Sequence, residues 1–203
     1  MICISRVTGS RGDEVGPLVA EKLSLRYVDD EIIVQAARKG GVDPADVADA
    51  QRRKSLLRRV LDDLGSGLGA EASALSHSPP ELRDDNLQRL VVDVVEELGA
   101  EGDVVIAAHG ASFVLAGRPD VLRVHVTASP EVRSQRLSEA SGLDHDAAVK
   151  SIRDSDRSRA DYLRRFYGIE TEQPTHYDIV LNTDRLKTVD VAELVAQAGT
   201  RTS

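Results

Sequence analysis

A three-layer α/β domain with a mostly parallel sheet is the fold class this sequence predicts, and three observations predict it. Short apolar runs without polar alternation recur along the chain, at Ile2–Ile4, Val104–Ala108, Val121–Thr127 and Ile179–Leu181, with a shorter one at Tyr27–Val28. Such runs are the mark of strands buried on both faces. Patterns of helical period separate them, the rhythm of strand and helix that builds layered folds. The first run passes through a glycine-containing turn, Thr8-Gly9-Ser10-Arg11-Gly12, directly into a helical pattern. Strand, turn and helix in that order are the ground plan of a phosphate-binding loop, in which bare backbone N–H groups and a helix N-terminus face an anion.

The first helix is expected from about Asp13 to Leu23. Asp13 and Glu14 suit its positive end, and Leu18, Val19 and Leu23 give it an apolar face. A second helix begins at Asp29 or Asp30 and stops at Gly40-Gly41, a C-terminal cap signal. Asp43-Pro44 then reads as an N-cap followed by proline at the first helical position. From there to Leu98 the chain makes a helical excursion between two sheet strands. Within it, Gly65 to Pro80 is the clearest loop, long enough to carry function. Such excursions either cover a substrate or simply pack. A long helix over about 144–167 has the character of a lid, and a helix from about Val189 to Ala198 closes the fold.

Composition bounds the function. The chain has 203 residues, room for one domain with an insertion. With 41% hydrophobic and only 3% aromatic residues, the core must rest on Val, Leu, Ile and Ala. A net charge of −8 argues against sequence-independent nucleic-acid binding, which needs a basic face. The single cysteine, Cys3, has no intrachain partner and sits in an apolar run, so a reduced, cytoplasmic protein with a small core thiol is expected. The apolar start is about four residues long, too short for a signal peptide or a membrane span.

Six segments carry a family resemblance. They are the opening I-S-R-V-T-G-S-R-G; Tyr27-Val28-Asp29-Asp30-Glu31-Ile32-Ile33; Val104 to Ile106 leading into His109-Gly110-Ala111; Arg118-Pro119 with the strand after it; Asp154-Ser155-Asp156-Arg157-Ser158-Arg159; and Tyr177 to Thr183. In this order and spacing the chain resembles the cytidylate kinase-like family, a nucleoside monophosphate kinase branch of the P-loop fold. The resemblance implies a five-stranded parallel sheet and a mobile lid. It also implies ATP with Mg²⁺ as donor and a nucleoside monophosphate or similar small acceptor.

The candidate site residues follow from both readings. Phosphoryl transfer needs positive charge around the γ-phosphate more than covalent chemistry. Gly9, Ser10, Arg11 and Gly12 are the candidate phosphate cradle, Ser10 adding a hydroxyl. The standard loop, G-x-x-x-x-G-K-[ST], carries a lysine to the β- and γ-phosphates. No lysine precedes Lys22 here, and Glu14 falls where the Mg²⁺-binding Ser or Thr would be. Arg11 is the candidate substitute and Arg6 the other nearby cation, though a guanidinium is no simple replacement for an ammonium. The alternative is a merely structural βα connection. Asp29, His109 and Arg118 are the candidate acceptor contacts, set against an N-cap, a strand-closing polar residue and a surface turn. Arg153, Arg157 and Arg164 fall within about 40° of one another on a helix. They are candidates for a cationic stripe of a lid over the transferring phosphate, Arg159 and Arg165 adding to the same positive charge, the alternative being a solvated face laced with ion pairs. No histidine spacing suggests a metal site. A non-catalytic nucleotide-binding protein, and a homodimer built on the 43–98 helices, are the competing readings.

Overall fold

The computed structural model describes residues 1–41, 84–107 and 110–200, the side chains of 84–87 excepted. The 65–80 loop, most of the helical excursion and His109 lie outside the described residues. The chain divides into two compact units, Met1–Asp29 with Val95–Ser203, and Asp30–Val94.

The first unit holds a sheet of five parallel strands: β1 (Ile2–Arg6), β2 (Arg26–Val28), β3 (Val104–Ala107), β4 (Leu122–Thr127) and β5 (Ile179–Asn182), in the order β2-β3-β1-β4-β5. Register puts Ile2 opposite both Val105 and Leu122, and Ile4 opposite Val124. Side chains alternate across a strand, so Ile2, Ile4, Val105, Leu122 and Val124 share one face. There they pack with Val15 and Val19 of α1 (Gly12–Leu23) and with Val191 and Val195 of the C-terminal helix (Thr188–Gly199). This aliphatic layer is what a chain almost without aromatic residues can build. Leu-, Ile- and Val-sized side chains contribute roughly 1.5–3 kcal/mol each when buried.

Between these strands the unit carries the end of α3 (Asp84–Glu101), a single turn α4 (Ala111–Val114), α5 (Pro130–Ser141) and the 23-residue α6 (His145–Tyr167). The C-terminal helix is α7. Both α5 and α6 start as sequence rules require: Ser129 Oγ accepts from Val132 N–H, and Asp144 Oδ1 from Ala147 N–H. In the second unit α2 (Glu31–Lys39) buries Ile32, Ile33, Ala36 and Ala37, and stops at Gly40, where a Cβ would lie 2.8 Å from Leu90.

Cys3 is wholly buried in β1, and burial pushes its thiol up to about 12. The thiolate is the reactive form. Iodoacetamide at pH 8 is therefore expected to leave the folded protein unmodified and to label it fully in guanidinium. Labelling of the native protein at the rate of a free thiol would contradict this packing.

Candidate active site at the carboxyl ends of the strands

In open α/β sheets the carboxyl ends of the strands frame the ligand crevice. Here β1 ends at Arg6, and residues Val7 to Arg11 turn into α1. The turn is held from behind. Arg133 donates to the Thr8 carbonyl (3.3 Å), Arg136 to that of Gly9 (3.1 Å), and the Thr183 hydroxyl to that of Ser10 (2.9 Å). Ser10 N–H closes the turn on the Val7 carbonyl (3.1 Å). With the carbonyls drawn backward, the N–H groups of Gly9, Arg11, Gly12 and Asp13 have no hydrogen-bond partner among the described residues.

The loop is built from unusual backbone. Gly9 has φ +79° and Arg11 φ 58°, both left-handed. For arginine this conformation costs roughly 1–2 kcal/mol. Two glycines of α1 then make room for the site. A Cβ on Gly12 would lie 2.5 Å from Arg6 Cβ, and one on Gly16 2.5 Å from the Tyr27 ring. Arg6 and Tyr27 thus lie against the bare face of α1 and meet at Asp29. Arg6 donates to Asp29 at 2.9 and 3.5 Å, and the Tyr27 hydroxyl donates at 3.1 Å. Burial first, then the Asp29 carboxylate, raises the Tyr27 hydroxyl above its ordinary value.

A cavity of about 390 Å³ opens at this edge. Ser5, Arg6, Thr8, Gly9 and Asp13 form one wall; Gly110, Ala111 and Ser112 of the α4 turn, with Arg159 and Tyr162 of α6, form the other. Helix α6 is tied to the loop: Ser155 and Thr8 hydroxyls lie 2.6 Å apart, and Asp156 takes both terminal nitrogens of Arg133 (2.8 and 2.5 Å). Arg159 is fixed more firmly. Its guanidinium donates twice to Glu172 (2.8 and 2.6 Å) and once to Ser5 Oγ (2.6 Å). The Tyr177 hydroxyl donates its proton to the Glu172 carboxylate, and its oxygen lies 3.1 Å from Ser5 Oγ. Burial alone would raise the Glu172 carboxyl, but Arg159 and Tyr177 hold it below the ordinary carboxylate range. His125 stacks on Tyr177 with ring centres 4.8 Å apart, and burial lowers its pKa, so it is neutral at pH 7.

The aromatic residues are concentrated here. The chain has four Tyr and two Phe. Phe113 stacks on Tyr167 and meets Tyr177 edge-on, while Tyr162 contacts Phe166 and Tyr167, at 5.1 to 5.9 Å between ring centres. The Tyr167 ring fills the space a Cβ on Gly110 would need. The sixth ring is Tyr27, bound to Asp29.

The sequence-derived site residues separate accordingly. Gly9, Gly12, Asp29 and Arg159 come together around the loop and cavity, with Arg11 at the start of α1. Three groups of candidates stand apart from the cavity wall. The Ser10 side chain is fully buried and its N–H is used within the turn, so it offers an anion neither hydroxyl nor amide. Arg118 pairs with Asp120 (2.5 Å), whose carbonyl lies 3.3 Å from the Met1 amine. That is the amino end of β1, about 16 Å of strand from the loop. Arg153 and Arg157 are exposed. The tethered face of α6 carries Ile152, Ser155, Asp156, Arg159 and Leu163, and at 100° per residue the Arg153–Arg157–Arg164 stripe points about 130° away from it. Arg159 therefore parts from that stripe. Arg11 is half exposed, with its guanidinium 3.7 Å from Glu14, a surface pair worth little.

Sequence reasoning missed Arg133, Arg136, Glu172 and Ser112. The signal for the first two was present: arginines three apart on a helix that begins at a Ser-Pro cap face the same way. Glu172 lies in an irregular segment with no periodicity to place it.

A profile of the cytidylate kinase-like family matches residues 1–185. The chain belongs to the cytidylate kinase-like family. The cytidylate kinase of Ignicoccus hospitalis is 25% identical over 195 residues, spanning 96% of both chains. Among solved structures, an uncharacterized protein from Eubacterium ventriosum aligns with TM-score 0.67 at 14% identity, covering 98% of this chain and 97% of that one. Shikimate kinase from Bacteroides thetaiotaomicron aligns with TM-score 0.53 at 14% identity, over 98% and 97%. At such identities these two likenesses concern the fold, that of small P-loop kinases. The family's kinase-like character and nucleotide-binding loop fit the loop seen here. Among the described residues no helix is long and apolar enough to cross a membrane, and no group of three potential metal ligands comes together.

Proposed function

We propose that the protein transfers the γ-phosphoryl group of ATP to a nucleoside monophosphate or similar small acceptor, using a loop that lacks the usual lysine. The observation that carries this reading is the cavity of about 390 Å³ walled by the loop, Arg6, Arg159 and the α4 turn. Its size suits a small ligand. The open N–H groups of Gly9, Arg11, Gly12 and Asp13 supply what a polyphosphate needs at a helix N-terminus. A Cβ on Gly9 would collide with α5, so the loop keeps its backbone bare and close to any anion it holds. Mg²⁺ would arrive on the ATP oxygens, with Asp13 the carboxylate on the cavity wall nearest the loop. In the transfer, the bond from the γ-phosphorus to the bridging oxygen breaks as one forms to an acceptor oxygen, and ADP leaves. Asp29 would hold the acceptor, and Arg159, fixed on Ser5 and Glu172, would face the charge that develops.

A second reading keeps the fold without the chemistry. It is favoured by the absence of a lysine from the loop and by Glu14, a carboxylate where standard loops carry the Mg²⁺-binding hydroxyl. A panel of nucleoside monophosphates with ATP and Mg²⁺ separates the two. We expect saturable ADP formation that depends on one acceptor and falls at least about 100-fold in Arg159→Ala, as when a preorganised charge contact is lost. ADP binding by calorimetry without turnover on any acceptor would favour the second reading. Binding of neither ATP nor ADP would remove both.

A further inference from the structure

We propose that Arg6 stands in for the absent lysine, and that Asp29 holds its guanidinium until a polyphosphate takes it over. This deepens the phosphotransferase reading and rests on it. The reasoning starts from which cation can reach a ligand. Arg159 is committed to Glu172 and Ser5, Arg133 to Asp156 and the Thr8 carbonyl, and Arg136 to Thr183 and the Gly9 carbonyl. Arg11 is half exposed beside Glu14 and lies outside the cavity lining.

Arg6 differs from all of these. It is the last residue of β1, it lines the cavity, and its side chain crosses the start of α1. Gly12 makes that path available: a Cβ there would lie 2.5 Å from Arg6 Cβ and 3.2 Å from Cδ. The guanidinium is thereby carried past the first turn of α1, whose Gly12 and Asp13 N–H groups have no partner among the described residues. Only its Nη atoms are engaged by Asp29, one well (2.9 Å) and one at the limit (3.5 Å). A guanidinium has five N–H donors, so Arg6 retains capacity toward the cavity. A triphosphate offers more charge and more acceptor oxygens than one carboxylate, and arginine binds such oxygens in bidentate fashion.

The exchange has a consequence for the second substrate. When Arg6 turns to the phosphates, Asp29 keeps, among the described residues, only the Tyr27 hydroxyl (3.1 Å), and its carboxylate is released to a hydrogen-bond donor of the acceptor. Donor and acceptor would then bind with positive coupling, which linkage makes reciprocal. Asp13, on the same wall, opposes the anion, and Mg²⁺ on the nucleotide offsets that charge.

The test is calorimetric titration of the full-length protein with tripolyphosphate and, separately, with Mg·ADP. Arg6→Ala should weaken both by roughly 10- to 100-fold, the size of a lost hydrogen-bonded charge contact. Arg6→Lys should restore most of the loss. Asp29→Asn should tighten both by about 3- to 10-fold, because it frees the guanidinium, a gain that a structural role for the pair would not produce. Circular dichroism establishes that each variant is folded; should Arg6→Ala unfold, Asp29→Asn and Arg6→Lys decide the matter alone. Unchanged binding in Arg6→Ala, or weaker binding in Asp29→Asn, would overturn the assignment and leave the phosphotransferase reading standing. Wild-type protein that binds tripolyphosphate through Arg6 but ignores ADP would support the assignment and overturn the nucleotide reading. Wild-type protein that binds neither probe would overturn both.

Discussion

Replacing Glu172 by Gln is expected to cost about 2–4 kcal/mol of stability at pH 7, and to make that cost vanish in acid. Removing one partner of a buried ion pair costs roughly 3–5 kcal/mol. The lower figure is used because the Glu172 and Arg159 side chains keep 21% and 25% of their exposure. The loss falls on Arg159, whose guanidinium keeps Ser5 Oγ and a neutral amide oxygen in place of the carboxylate, and on the Tyr177 hydroxyl, which donates to Glu172 in the native protein. The pH dependence follows from the sign of the shift. The Glu172 carboxyl is depressed in the folded state, below its ordinary value of 4.5. Its contribution is therefore complete above that value and is lost as pH falls through the depressed one. Urea unfolding of wild type and variant should show the full gap from pH 6 to 8 and a shrinking gap below about pH 4.5. A gap that ignores pH would mean that the carboxylate charge is not what holds Arg159. Because Arg159 lines the candidate site, the variant should also lose phosphoryl transfer more steeply than stability.

That network bears on how much of this molecule its sequence reveals. The strands were legible from their β-branched and aliphatic residues: β1 and β3 are runs buried on both faces, β4 alternates buried with partly buried positions, β5 is partly exposed and β2 is only three residues with Arg26 exposed, and the parallel order followed from the helices between them. The phosphate-loop plan was legible because glycine at positions 9 and 12 follows a strand and opens a helix. Which glycine serves which purpose was not. Gly12 is required by the Arg6 side chain and Gly9 by the approach of α5, contacts 6 and 124 residues away in the chain.

Charge was the least legible feature. The stripe of Arg153, Arg157 and Arg164 is real as a periodicity, yet periodicity does not say which face of a helix meets the body. Ile152 and Leu163, both buried, settle that in favour of the other side. The same limit applies to Arg118. An Arg-Pro step before a strand looks like a site residue, but it stands at the strand's amino end, paired with Asp120. Conversely, Arg6 reads as an ordinary strand-ending cation until Gly12 and Asp29 are seen to guide it. Partners distant in sequence fix the function of a charge in this fold, while neighbours in sequence fix its element.

Three glycine-to-alanine variants separate the two demands made on the loop, and Gly9→Ala is expected to be the worst by a wide margin. At Gly9 alanine meets both a left-handed backbone, φ +79°, and a collision, with the new Cβ 2.9 Å from the Arg133 Cβ and carbonyl oxygen. The first costs roughly 1–2 kcal/mol and the second roughly 1–3. Because the obstructing atoms belong to the first turns of α5 rather than to a flexible side-chain end, relief requires the helix to retreat. Arg133 and Arg136 would then lose the Thr8 and Gly9 carbonyls. A total of about 2–5 kcal/mol is expected, together with loss of Mg·ADP binding. Gly142, the cap of α5, shares the left-handed backbone, φ +71°, but faces open space, so Gly142→Ala should cost only the backbone share, about 1 kcal/mol. Gly117 carries neither burden, and Gly117→Ala should lie within about 0.5 kcal/mol of wild type. Urea midpoints ranked in this order would assign the loop's geometry to its packing on α5. A Gly9→Ala variant no less stable than Gly142→Ala would mean that the loop can lift from that helix without penalty, and that the carbonyl contacts of Arg133 and Arg136 do not set the direction of the free N–H groups.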